Sequence, residues 1–164
     1  MTSSQGTPEF MSRHLFGADE HYLHSPKDDL ESCFWVSMWS VLFNEDNMGG
    51  QFTKEKRMRE QLADNEKASA IDTLTGLTYD QERSDIMRLF RLVLLDWWKG
   101  VRDCIETWDE EVLRNKPKNA DGEYYLPHFH RFALKGVLDV LQVLARHWDG
   151  DISLRSWTAP APST

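Results

Sequence analysis

Histidine and cysteine side chains are the residues of this sequence that could bind a metal ion. They form two close histidine pairs and two isolated cysteines: His21, His24, His128, His130, Cys33 and Cys104. Structural zinc sites use four ligands in tight Cys/His clusters, and neither cysteine has a second ligand close to it in the sequence. We therefore expect no metal site, and we interpret the histidines as residues of loops and of the edge of the core.

The sequence contains no clear candidate residue for nucleophilic or acid–base catalysis. No serine or cysteine lies in a recognisable nucleophile motif, and no pair of carboxylates stands out from the general acidity. The acidic run 106–111 is typical of a solvated helix face. Cys33 and Cys104 lie within helical patterns, so we expect two reduced, buried thiols of an intracellular protein, with a disulfide between them as the alternative. The sequence thus predicts no catalytic residue in this chain.

The strongest element is a helix that begins after Ser25. Pro26 suits the first helical position, and Asp28 adds a negative charge near the positive helix end. Apolar side chains then point to every side of the helix: Phe34, Trp35, Val36, Met38, Trp39, Val41, Leu42 and Phe43. A helix that is apolar all round belongs in a core. We predict a central buried helix that runs to about Asn44.

Residues 53–75 are charge-dense and predict one or two solvent-facing helices. Their apolar stripe is thin: Met58, Leu62, Ala68 and Ile71. A longer helical pattern runs from Tyr79 to about Asn115, and its length predicts a bend or break between Leu95 and Gly100.

The last helix is predicted to begin at Pro127 and to end near Gly150. Its inward residues are expected to be Phe129, Phe132, Val137, Leu138, Val140, Leu141, Val143, Leu144 and Trp148. Residues 151–164 are rich in small and polar types and are expected to be a disordered tail. No period-2 strand pattern of useful length is present, so the predicted fold class is all-α.

Two stretches resemble a known family. They are Gly6-Thr7-Pro8-Glu9-Phe10-Met11-Ser12 and the run Asp29-Leu30-Glu31-Ser32-Cys33-Phe34-Trp35, which is followed by a tryptophan at 39. This pattern of residues resembles the C-terminal lobe of protein kinases, and most of all that of the fungal-type protein kinases. The specific match covers residues 6–43. The resemblance implies a truncated helical C-terminal lobe in residues 25–150, preceded in residues 1–24 by the end of an activation segment.

The resemblance also implies roles for single residues. Gly6, Thr7 and Phe10 would shape the substrate pocket beside the phospho-acceptor, and the Thr7 hydroxyl would reach the catalytic loop. Asp29 matches a buried aspartate that accepts hydrogen bonds from that loop, and such charge-assisted bonds are strong. Two tryptophans would be structural residues of the central helix: Trp35 and Trp39. The alternative is that Asp28 and Asp29 are both first-turn acids that only stabilise the helix dipole.

One departure from the family pattern concerns the anchor of the activation segment. Most kinases continue with Pro-Glu, and the glutamate pairs with a distant arginine, whereas here Ser12 is followed by Arg13 and His14. Removing one member of a buried ion pair costs about 3–5 kcal/mol. We therefore expect this chain to build the anchor differently.

The catalytic motifs of kinases do not occur in this sequence. It contains no glycine-rich loop after a strand, no Val-Ala-x-Lys strand, no His-Arg-Asp loop and no Asp-Phe-Gly. By resemblance, ATP and Mg²⁺ would serve only an intact family member, and this chain alone is expected to bind no cofactor and to phosphorylate nothing. Three hypotheses stay open: a C-lobe fragment of a kinase for Ser/Thr phosphorylation, a non-catalytic helical protein-interaction module (a pseudokinase remnant), or an unrelated helical bundle.

The net charge and the hydropathy of the sequence limit the kinds of partner that the chain can bind. A net charge of −8 and a pI near 5.2 disfavour nucleic acid and anionic membranes, so the expected partner is a protein, as substrate or as binding partner. The first residues lack the features of a signal peptide, which favours an intracellular location in the cytoplasm or nucleus. If the central helix lacks neighbours that it evolved with, it should expose an apolar patch larger than the few hundred Å² usual on monomers.

Overall fold

A computed structural model describes residues 10–12, 24–44, 52–77 and 83–148. Its regular elements within these ranges are all helical: α1 (Pro26–Leu42), α2 (Thr53–Ala63), α3 (Lys67–Thr75), α4 (Asp85–Trp108), a π-helical turn (Asp109–Leu113) and α5 (Gly122–Trp148). The all-α prediction is confirmed. The predicted tail 151–164 lies outside the described residues.

Helix α1 begins where the sequence predicts. Ser25 has extended backbone angles (φ −131°, ψ 162°), and Pro26 occupies the first turn. The Asp28 carboxylate reaches back and accepts a hydrogen bond from the Ser25 backbone N–H (2.9 Å), which satisfies a donor that the helix start leaves unpaired. The helix ends at Leu42, two residues before the predicted end.

Helix α1 is enclosed by other helices of the same chain, and the predicted exposed patch on it is wrong. It packs against α2, α4 and α5. Its buried apolar side chains are Phe34, Trp35, Met38, Val41 and Leu42. The exposed positions recur every three or four residues and form a narrow, mostly polar stripe: Asp29, Cys33, Val36 and Ser40. The helix is therefore amphipathic in its structural setting, because its small and polar residues share the solvent side.

The segment 53–75 forms two helices that pack on each other. Met58, Leu62 and Ile71 are buried as predicted, but Ala68 is exposed. The other buried apolar residues of α3 are Ala70 and Leu74, so the inward face of this helix is offset from the predicted stripe.

A buried carboxylate ties α2 to the start of α4. Glu55 accepts hydrogen bonds from the Ser84 backbone N–H (2.9 Å) and hydroxyl (2.8 Å). Ser84 in turn caps α4 by accepting from the N–H of Met87. The helix thus begins at Asp85, later than the predicted start at Tyr79, which lies outside the described residues.

Helix α4 is continuous through the region where we predicted a break. Leu95 and Gly100 lie within its 24 residues, where it packs against both α1 and α5. The irregularity comes later, in the π-helical turn that begins at Asp109. There the buried Lys27 ammonium contacts the Asp109 carboxylate at 2.7 Å. Packing on both sides holds α4 in one piece, and the wider turn adjusts the chain after its last buried tryptophan, Trp108.

Helix α5 begins at Gly122, and the predicted start at Pro127 is wrong. The Asp121 carboxylate accepts from the N–H groups of Glu123 (3.1 Å) and Tyr124 (3.3 Å) and caps the helix before the proline. The Tyr124 hydroxyl donates to a carbonyl of the π-helical turn (3.0 Å), which fixes this first turn against the rest of the molecule. Pro127 therefore lies inside a helix that tertiary contacts hold in place.

Most of the residues predicted to face inward from α5 do not. Phe132 and Val143 are buried, and Phe129 and Val140 are partly buried. The exposed ones are Val137, Leu138, Leu141 and Leu144, while the side chain of Trp148 lies outside the described part. Helix α5 packs on α1 and α4 with one side only, so its second apolar side has no neighbour among the described residues.

Candidate functional site

The two stretches that carry the kinase resemblance meet in the structure. Residues 10–12, the described part of the first stretch, lie against α1 and α3. The hydroxyl of Ser12 donates to the Asp28 carboxylate (2.8 Å), the backbone carbonyl of Met11 accepts from the Lys67 ammonium, and the ring of Phe10 contacts Trp39. We call this set of residues the anchor site.

Asp28 is the centre of the anchor site. Its side chain is fully buried and accepts three hydrogen bonds, from the hydroxyls of Ser12 and Ser25 (2.8 Å each) and from the Ser25 N–H (2.9 Å). A carboxylate in the first turn of a helix is also stabilised by the helix dipole. In this arrangement a helix-capping aspartate binds the serine that follows Phe10 and Met11.

Lys67 is the second element of the anchor site. It is only 3% exposed, although it is the first residue of α3. Besides donating to Met11, its ammonium stands 5.5 Å from the ring centroid of Trp35, within the range of a cation–π interaction. Lys67 therefore links α3, residues 10–12 and α1 at one point.

Trp35 and Trp39 take different places. Trp35 is buried, its indole N–H donates to Glu31 (3.2 Å), and its ring packs against those of Phe34 and Trp98 at 5.1 and 5.5 Å. Trp35 is therefore part of the core.

Trp39 lies at the edge of the core and is half-buried. It stacks on Phe43 (3.9 Å between centroids) and receives Phe10 edge-on at 5.6 Å. The structure thus brings together Phe10 and Trp39 of the predicted site. Gly6 and Thr7 lie outside the described residues.

The predicted buried aspartate is displaced by one residue. The Asp29 side chain is 71% exposed and contacts His24 Nε2 at 3.1 Å, whereas Asp28 is the buried carboxylate. The two side chains differ by about 100° around the helix, and only the third residue after the N-cap can reach back to it. In the sequence, the three-residue spacing between Ser25 and Asp28 already indicates that Asp28 is the residue that caps the helix.

The two thiols are free in the structure, as the prediction of reduced cysteines expects. Cys33 is exposed, so its predicted burial is wrong. Cys104 is buried, and this burial raises the pKa of its thiol to about 11, so it stays protonated at neutral pH. Neither arrangement supports the disulfide alternative. No group of three or more His, Cys, Asp or Glu side chains suited to a metal ion occurs among the residues that the structure describes.

Lys67 is a residue of this site that sequence reasoning missed. It is a buried lysine and lies in no motif. The described contacts of the site are hydrogen bonds, a cation–π contact and ring contacts, which fix a chain segment in position.

Comparisons with protein-family models, with curated proteins and with solved structures found no match. Among the described helices, none combines the length and the apolar composition that a membrane span requires.

Proposed function

We propose that this chain is the helical C-lobe part of a fungal-type protein kinase, and that it holds the end of the activation segment in place on the central helix. One observation carries the proposal. The two stretches that resemble the family are separated in sequence, yet Ser12 of the first binds Asp28, the residue directly before the second. Phe10 and Trp39 make a second contact between them. This is the relation that an activation segment and its supporting helix require.

The role of these residues would be to position an acceptor peptide. Gly6, Thr7 and Phe10 would line the pocket for the residue that receives the phosphoryl group. The anchor site would keep that pocket rigid, and rigid positioning is a large part of catalysis in phosphoryl transfer. ATP and Mg²⁺ would supply the phosphoryl group and its charge neutralisation. The residues of this chain do not provide the binding motifs for ATP or Mg²⁺.

The test begins with the genomic sequence upstream of the codon for Met1. The proposal expects an in-frame segment with His-Arg-Asp and Asp-Phe-Gly, and ATP-dependent phosphorylation of serine or threonine peptides by the joined product. In that product Asp28→Asn should raise the KM for the peptide, because the segment beside the acceptor loses its anchor. Glu60→Gln, an exposed change on α2, is the matched control and should leave the KM unchanged. Stop codons throughout the upstream region would refute the proposal.

A second candidate is a non-catalytic helical module that binds a protein partner. It is favoured by the enclosure of α1, whose residues Phe34, Met38 and Leu42 are fully buried by helices of this same chain. A core that is complete without further polypeptide can fold by itself. The purified chain should then unfold in one cooperative thermal transition, with a near-UV circular dichroism signal in the folded state. A broad, non-cooperative transition would argue against a free-standing module and for a dependent lobe.

A further inference from the structure

Helix α5 carries an apolar surface on the side that faces away from the molecule. We call it the open face. Its members are five aliphatic side chains between 42 and 62% exposed: Leu134, Val137, Leu138, Leu141 and Leu144. At 3.6 residues per turn these five positions fall within about 120° of the helix circumference. The buried residues Phe132 and Val143 point to the opposite side, so the open face is not an edge of the core.

The spacing of the open face is that of a helix-pairing seam. Leu134, Val137, Leu141 and Leu144 are separated by three, four and three residues, which is the a/d pattern of a coiled coil. Leu138 widens the seam on one side. A solvated helix would place polar residues at these positions, since exposed aliphatic surface of this extent is uncommon on monomers.

We propose that the open face binds the open face of a second copy of this chain, with the two α5 helices antiparallel. This inference is independent of whether the chain belongs to a kinase. An antiparallel pair centred at the level of Asp139 sets Leu134 against Leu144 of the second copy, and Val137 against Leu141 of the second copy. Each a position then meets a d position, so the seam is complementary to itself, as a two-fold interface requires.

The charge of α5 fits a second copy. The chain as a whole carries −8, and two such chains repel each other over most of their surface. Helix α5 departs from this, because it has three basic residues and two acidic ones: Arg131, Lys135, Arg146, Glu123 and Asp139. Asp139 lies beside Lys135 and Arg146 pairs with Asp96, away from the seam. Pairing through α5 therefore brings together a part of the surface that does not share the acidic excess of the chain.

The composition of the surface also fits a stable interface. A stable interface buries about 800 Å² on each partner, with an apolar centre and a polar rim. The open face supplies the apolar centre. Exposed residues beside it supply the rim, among them Arg131 and Gln142, along a helix of 27 residues.

Sedimentation equilibrium of the purified chain tests the proposal. Wild type at tens of micromolar should show twice the 19.2 kDa mass of one chain. The double variant Leu134→Glu/Leu141→Glu should show one chain mass, with its dimer dissociation constant weakened at least 100-fold. The matched control is Leu89→Glu/Leu92→Glu, which adds the same charge at two exposed leucines of α4 and should stay dimeric. Circular dichroism confirms that each variant is folded.

Two results would overturn the proposal. One is a wild-type chain that stays monomeric up to hundreds of micromolar, which would leave the open face to a different protein. The other is a dimer that survives the Leu134→Glu/Leu141→Glu change.

Disulfide trapping tests the antiparallel orientation. In a Cys33→Ser background, a mixture of Leu134→Cys and Leu144→Cys chains should form a cross-linked dimer on mild oxidation. Leu134→Cys alone should not, because the two introduced thiols would lie about 15 Å apart along the helix axis. Efficient cross-linking of Leu134→Cys alone would overturn the antiparallel arrangement.

Discussion

Helices α1 and α5 both have apolar residues on more than one side, yet only α1 is surrounded. Helix α1 contacts α2, α4 and α5, and its exposed stripe contains a single large apolar residue, Val36. Helix α5 contacts its neighbours with one side and leaves the aliphatic residues of the open face exposed. The difference arises from the neighbours that each helix has, because the two sequences are similarly apolar.

This contrast separates two uses of apolar side chains. Those of α1 are removed from water when the chain folds, so they contribute to the free energy of unfolding. Those of the open face stay in water in the single chain and contribute almost nothing to its stability. They can lower the free energy only when another molecule covers them, as an antiparallel second copy would.

The largest effect on stability is expected from truncating a core side chain of α1. Trp35→Ala should lower the free energy of unfolding by about 3–5 kcal/mol, because it removes a buried ring and leaves a cavity. Leu141→Ala should change it by less than about 0.5 kcal/mol, the range of ordinary surface substitutions. Urea denaturation followed by tryptophan fluorescence measures both, at concentrations low enough to keep the chain monomeric.

The control for the first variant is Trp35→Phe, which keeps an aromatic ring in the site and should recover most of the loss. Equal destabilisation by Trp35→Ala and Leu141→Ala would contradict the contrast, since it would mean that the open face is buried within the single chain.

A smaller effect is expected where the anchor site joins α1. Asp28→Ala removes the acceptor of three hydrogen bonds and leaves two buried serine hydroxyls without it. We expect a loss of about 2–3 kcal/mol, because hydrogen bonds to buried charged groups are worth more than neutral ones. Asp29→Ala, one residue further, removes an exposed contact with His24 and should cost less than about 1 kcal/mol. Thermal or urea unfolding of the two variants measures the two losses of stability. A larger loss for Asp29→Ala would mean that Asp29, as the kinase pattern indicates, is the structurally important aspartate.

Local signals in the sequence were sufficient for part of the fold. The start of α1 follows from Ser25, Pro26 and Asp28, which act on each other within one turn. The all-α class follows from apolar spacing along whole segments. These features depend on residues close together in the chain, so no knowledge of the tertiary structure is needed.

Other features depend on contacts between distant residues, and the sequence did not reveal them. Gly100 suggested a break in α4, but packing on both sides keeps that helix continuous. Pro127 suggested a helix start, but Asp121 caps α5 earlier and Tyr124 fixes its first turn. The burial of Lys67 in the anchor site likewise results from residues 10–12, which are far away in sequence.

The smallest effect on stability is expected where α1 crosses α5. Its control variant should change the stability in the opposite direction. A Cβ at Gly136 would lie 2.6 Å from Leu30 Cδ2 and 2.8 Å from its Cγ, so Leu30 would have to move. Gly136→Ala should therefore destabilise the chain by about 1–2 kcal/mol, since overpacking outweighs the helix propensity gained. Gly100→Ala on the facing helix α4 meets no atom within 4 Å and should stabilise by about 0.5–1 kcal/mol through propensity alone. The midpoints of urea unfolding measure both.

If Gly136→Ala is as stabilising as Gly100→Ala, the Leu30 side chain can move away from Gly136. The contact between α1 and α5 at this crossing is then not tightly packed. Adding Leu30→Ala to Gly136→Ala separates the causes, because the double variant should lose less than the sum of the two single changes if the clash is the source of the destabilisation.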